Sequence, residues 1–304
     1  MSMTVEAKKD RTKQAVTNEP GLTVRDKGLV VAFAGRGKMG KTVEARFLTE
    51  RALRASRAVM PCDGDRYNQT LTAFFPNAFR PPSADPVVVA RWLQEMAAWA
   101  AEHRWAIALD LGGNDRDYLR QGATIATGGV APLPVVAEGD DDDLAAWGLG
   151  DISDLTGSGV DVTQIYALGD DLDDTRGLDL LRERGLVGHR TILLLNEGRL
   201  RKGPPAGLVD EEGKPLDGED PFAEILNDPP VVKAVSLGAR TLRMPELDAD
   251  VAAWLDRYRT GYGDAVKGVA PDGGKPLDAL GRQRLLAWMR LMERRHKPFA
   301  GLLP

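Results

Sequence analysis

The chain has 304 residues, 43% of them apolar and 28% charged, with a formal net charge of −5. These proportions suit a globular protein with a sizeable core, and the acidic balance argues against a protein whose task is to coat nucleic acid. The one cysteine, Cys62, excludes an intramolecular disulfide, and His103, His189 and His296 are too scattered to make a Cys/His metal pattern.

Residues 1–27 lack the continuous apolar segment of a signal peptide and are expected to form a flexible polar arm. No run of about 18 apolar residues occurs, so no membrane span is expected, and the cysteine usage suits a reducing cytoplasm. From there the pattern alternates. Residues 29–34 read as a buried strand, 42–56 as a helix and 58–62 as a second strand, which runs into the loop DGDRYNQTLTAFFP. An Asp-Pro start opens a helix over 85–103, in which Trp92, Met96 and Trp99 fall on one apolar face and read as core. Residues 105–109 read as a third strand, ending in DLGGND.

The alternation then loosens. Residues 134–136 read as a short strand and the acidic run 139–143 as a solvated loop or a helix cap. A strand is expected at 162–168, a helix at 173–184, a strand at 191–195 and a loop insertion at 199–221. A strand at 231–237, a helix at 248–259, a linker at 261–276 and a last helix at 277–295 complete the chain. Short apolar strands between amphipathic helices predict an α/β fold. It is a three-layer αβα sandwich with a mostly parallel sheet and helices on both faces. The expected organisation is an arm at 1–27, a main domain at 28–260, and a linker with a C-terminal amphipathic helix at 261–304.

Between the first strand and the first helix stands Gly35-Arg36-Gly37-Lys38-Met39-Gly40-Lys41-Thr42, which fits G-x-x-x-x-G-K-[ST] in full. Glycines let backbone N–H groups turn inward around a phosphate, and a helix beginning near Lys41 adds the positive end of its dipole. Lys41 is expected to reach the β- and γ-phosphates and Thr42 to place its hydroxyl on Mg²⁺. Lys38 reads either as a solvated loop lysine or as an auxiliary phosphate contact.

The pattern resembles the P-loop ATPases of the ParA/MinD type, which carry an altered loop with a lysine directly after the first glycine. Arg36 stands at that place, keeping the charge on a bulkier, planar group. Three further segments match in order: Asp63-Gly64-Asp65 after the second strand, Asp110 and Gly113 in DLGG after the third, and Asn196 in LLLNEG. Together they look most like the TraL-like ATPases of conjugative plasmids, over roughly residues 28–240.

The resemblance implies ATP and Mg²⁺ as cofactors. Asp63 and Asp110 would serve the Mg²⁺ shell with Thr42, and Asp65 would orient the attacking water. Gly113 would sense the γ-phosphate, Asn196 would touch the adenine, and Arg36 would cross to a second subunit's nucleotide. It also implies a homodimer bridged by ATP and a plasmid-transfer or partition protein as partner, with non-specific DNA as a further one. The last helix sets Leu285, Trp288, Met289 and Met292 among arginines. It reads either as a helix packed on the domain or a partner, or as a helix lying on a membrane surface.

Two other readings of the loop stay open. One is a small-molecule kinase with Arg199, Arg201 and Lys202 as a lid; the other is a nucleotide-binding module with little hydrolysis.

Overall fold

The computed structural model describes residues 22–65, 68–111, 159–183, 185–200, 210, 214–215 and 219–304. Gly113, the expected strand at 134–136, the acidic run at 139–143, and Arg201 and Lys202 lie outside them.

Strand β1, Gly28–Ala34 (GLVVAFA), is buried at every position. A strand with apolar side chains on both faces belongs in the middle of a covered sheet, and that is where it lies. With β2 (Val59–Asp63), β3 (Ala106–Asp110), β4 (Val160–Leu168), β5 (Thr191–Asn196) and β6 (Arg240–Met244), it builds a six-stranded sheet in the order β2-β3-β1-β4-β5-β6. All five pairings are parallel. The register aligns Asp63 with Asp110 and Asp110 with Phe33, so two aspartates end their strands beside the one that leads into the glycine loop.

Among the described residues the helices are α1 (Lys41–Arg54), α2 (Pro86–His103), α3 (Arg176–Glu183), α4 (Ala223–Leu226), α5 (Pro229–Ser236), α6 (Ala249–Tyr258), α7 (Tyr262–Lys267) and α8 (Ala279–His296). Two apolar clusters divide them between the faces. On one, Val30, Ala32, Ile107, Leu109, Tyr166 and Leu193 meet α2, α3 and α5. On the other, Leu29, Val31, Phe33, Ile165, Leu194 and Leu242 meet α1, α6, α7 and α8. The sandwich is therefore the three-layer arrangement expected from the alternation.

Two segments differ from the sequence reading. The valine-rich stretch expected as a strand at 231–237 is helix α5, and the strand follows it as β6. Pro229 and Pro230 occupy the first helical positions, where a missing N–H costs nothing. Strand β6 hides in RTLRM, where Arg240 and Thr241 are exposed and Leu242, Arg243 and Met244 are buried, as befits a sheet edge. The expected linker at 261–276 contains α7, whose Tyr262 and Ala265 are fully buried.

The terminal helix α8 packs on the sheet. Leu285, Trp288, Met289 and Met292 enter the same cluster as the P-loop helix α1. The Trp288 indole N–H donates to the Pro245 carbonyl at 2.9 Å, and the ring meets Phe47 edge-on at 5.7 Å. No helix among the described residues is long and apolar enough to cross a membrane.

Candidate functional site

The glycine loop follows β1 at the carboxyl edge of the parallel sheet, where α/β folds hold their ligands. Two of its glycines are there for stereochemical reasons. Gly35 has φ 113°, and a Cβ on it would come 2.6 Å from the Ala167 carbonyl oxygen. Gly40 has φ 89°, and its Cβ would come 2.4 Å from Met244 Cε and 2.6 Å from Asn196 Nδ2. Gly37 faces open space. Lys38 takes a positive φ of 66° and is exposed. Helix α1 starts directly after Gly40, so its first N–H groups point into the loop.

Lys41 is buried, and its Nζ donates to the carbonyls of Gly35 (2.5 Å) and Arg36 (2.7 Å). The ammonium is thus held over the loop's own oxygens. The Thr42 hydroxyl donates to Asp110 Oδ2 at 2.6 Å. Asp110 is only 3% exposed, and its carboxyl is pushed up to about 7. Burial is the largest cause. The Thr42 hydrogen bond opposes it, the negative charge of Asp63 adds to it, and Lys41 pulls the other way.

Asp63, fully buried, turns to its own loop. Its Oδ2 accepts from the Thr72 backbone N–H (2.7 Å) and hydroxyl (2.8 Å), and its Oδ1 from the Asp65 N–H at 3.3 Å. Burial raises its pKa as well, against these bonds. Asp65 accepts from the Asn68 N–H (2.9 Å) and side-chain amide (3.2 Å).

Asn196, expected at the base, braces the loop. Its Nδ2 donates to the Met39 carbonyl at 2.9 Å and its Oδ1 accepts from the Gly198 N–H at 3.0 Å. Arg36 turns to Asp174 of its own chain, at 2.9 Å.

The residues fit Mg²⁺ in a particular way. A hydroxyl and a carboxylate oxygen in contact at a helix N-terminus are hard oxygen donors, as that ion requires. Among the described residues no three His, Cys, Asp or Glu side chains converge as a cage. Mg²⁺ prefers one or two protein ligands completed by phosphate oxygens and water. Thr42 and Asp110 meet that description; Asp63 lies beside Asp110 in the sheet register, and its bonds to Thr72 and Asp65 shape the adjoining loop.

Sequence reasoning missed several residues. Asp174 sits in the acidic run GDDLDDT just after β4, and any strand paired with β1 would bring such a run to the loop. Thr72 could be suspected only as a hydroxyl in the loop after Asp63. Glu44 and His296, both fully buried, meet as Oε1 and Nε2 between α1 and the end of α8. They are 252 positions apart in the chain, so nothing local announces that contact.

No protein-family model matches the chain, and no curated protein matches it. Solved structures do show likeness. The signal recognition particle 54 kDa protein from Aeropyrum pernix K1, in complex with GDP, aligns at 14% identity and a TM-score of 0.39, over 91% of this chain and 60% of that one. The MinD cell division protein of Aquifex aeolicus aligns at 12% identity and a TM-score of 0.38, over 88% of this chain and 96% of that one. The chain thus spans about 60% of the length of the signal recognition protein. Its own strand order, glycine loop and helix start make it a P-loop α/β fold.

Proposed function

We propose that this chain is an ATP-binding and ATP-hydrolysing switch of the ParA/MinD type, pairing through ATP and serving plasmid transfer or partition. The observation that carries the nucleotide reading is the meeting of three groups at one helix N-terminus. The Lys41 ammonium lies over the loop, with the Thr42 hydroxyl and the Asp110 carboxylate in contact beside it. The transfer and partition role is supported by the order of the sequence segments around Asp63, Asp110 and Asn196.

Lys41, whose ammonium now donates to the Gly35 and Arg36 carbonyls, would offer it to the phosphate oxygens. The N–H groups of residues 37–42 orient the phosphates. Thr42 and Asp110 would hold the cation, which would neutralise charge that develops on the phosphate oxygens. The Asp63–Thr72 bonds hold the loop carrying Asp65, whose carboxylate can orient a water. Phosphoryl transfer at such a site is mostly positioning and charge stabilisation.

The test is calorimetry of the full chain with Mg-ATP, Mg-GTP and Mg-ADP, joined to a product assay. Heat of binding with ATP and release of free phosphate support the reading. Phosphate passed to an added small-molecule acceptor makes the protein a kinase. Absence of binding by any nucleotide overturns the proposal.

A further inference from the structure

Arg36 occupies a position that the loop pattern leaves open, and the fold gives it a partner. Its Nη1 lies 2.9 Å from Asp174 Oδ1, and the two side chains differ sharply in exposure, 49% against 1%. Asp174 closes a 3₁₀ turn, Leu172–Asp174, beyond the end of β4. Since β4 pairs with β1, that turn and the glycine loop meet at one edge of the sheet.

The aspartate is fixed from other sides. Its Oδ2 accepts from the Gly169 N–H at 3.0 Å, and its main-chain carbonyl accepts from the buried Tyr166 hydroxyl at 3.1 Å. A Cβ on Gly169 would come within 2.9 Å of the same carboxylate, so the strand end is shaped around it. Residue 36 is therefore held at both ends. Lys41 grips its carbonyl and Asp174 its guanidinium.

We infer that Asp174 is a positioning residue that restrains Arg36 and thereby sets how far the chain prefers a nucleoside triphosphate over a diphosphate. The inference rests on the nucleotide reading above. A guanidinium is a two-pronged donor for phosphate, so the terminal phosphate competes with Asp174 for it. The competition is uneven. Half-exposed Arg36 can leave its partner for water or phosphate at little cost. Asp174, buried, is then left as a charge that has lost its cation, which is the expensive side of breaking such a pair. Removing the charge of Asp174 lowers that cost, so triphosphate binding tightens. Diphosphate binding, which makes no call on Arg36, stays as it was.

The experiment measures affinities for the Mg²⁺ complexes of a slowly hydrolysed ATP analogue and of ADP by calorimetry. It uses the full chain, D174N, R36Q and the double variant. Asparagine keeps an oxygen for the Gly169 N–H. D174N is expected to bind the triphosphate roughly three- to tenfold more tightly and ADP unchanged. R36Q should lose triphosphate preference, and the double variant should match R36Q.

An unchanged ratio of the two affinities in D174N overturns the inference, as does the same gain in the R36Q background. Should D174N fail to fold, R36Q alone decides, because an undiminished triphosphate preference there also overturns it. A wild-type chain that binds neither nucleotide brings down the nucleotide reading and this inference with it. A wild-type chain that binds both while D174N changes nothing removes the inference alone. Repeating the titration below and above any self-association concentration separates the chain's own phosphate from a second copy's, and a gain in either regime upholds the restraint.

Discussion

At the scale of single residues the site balances on charges placed out of water. Lys41 lays its ammonium over the loop carbonyls, so Lys41→Ala is expected to lower phosphate release by roughly a hundredfold or more. A turnover assay at saturating Mg-ATP checks this, and near-normal turnover would contradict the site. Asp110 gives a prediction in pH. Its ordinary value is 3.8 and here it is pushed up to about 7. Between those values the folded chain holds a proton that the unfolded chain has lost. The stability contributed is full below about pH 4 and is lost as pH rises through 7. Melting of the Mg-free chain should therefore fall by several degrees from pH 5.5 to pH 8. The decline should be shallower in D110N, and Mg-nucleotide should restore the wild type at pH 8. Asp63, Glu50 and Glu197 are raised for the same reason of burial and add decline of the same sign. Only the difference between wild type and D110N therefore reports on Asp110. Equal slopes in the two proteins would show that it is not charged and desolvated as described.

At the scale of elements, the informative piece is α8, which packs α1 from outside. Its last turn sets His296 against Glu44, with the His296 Nδ1 at 2.7 Å from the Met292 carbonyl. Beside it, Arg295 pairs with buried Glu197 at 2.9 Å. His296→Ala leaves the Glu44 carboxylate buried without that partner and is expected to cost about 3 kcal/mol in denaturant unfolding. Trp288→Ala removes a ring lodged among Phe47, Tyr262 and the Pro245 carbonyl, with an expected cost of about 3–5 kcal/mol. Because this apolar face is spent on the core, the intact chain is expected to stay in the supernatant with anionic liposomes; pelleting would show that α8 detaches. The sequence made α8 legible as a helix and left its destination open, since a face of Leu, Trp and Met suits a core and a membrane surface equally. It misassigned α5 and β6 because a valine-rich run favours a strand locally, while the paired prolines and the packing of Val231 and Ala234 decide for a helix. In β6, Arg243 is buried with its charge paired to Asp220, which no hydrophobic alternation reveals.

At the scale of the whole molecule, the sequence was most readable where one chemical need fixes several neighbouring residues, as from Gly35 to Thr42. It was least readable where parts distant in the chain converge, as with Arg36 and Asp174 or Glu44 and His296. This difference bears on pairing between chains. Arg36 is half exposed at the carboxyl edge of the sheet and is held by a carboxylate of its own chain. A monomer so arranged keeps its loop cation occupied, and a phosphate strong enough to draw Arg36 away frees it for a neighbour at the same edge. Size-exclusion chromatography of the full chain should then show a species of doubled mass with Mg²⁺ and a slowly hydrolysed ATP analogue. With ADP or without nucleotide it should show the single chain. In D174N the doubled species should form at lower analogue concentration, and R36Q should not form it at all. A doubled mass that persists without nucleotide would mean that pairing is independent of the loop. A single mass under all conditions, with ATP turnover intact, would make the protein a switch that acts as a monomer on another partner.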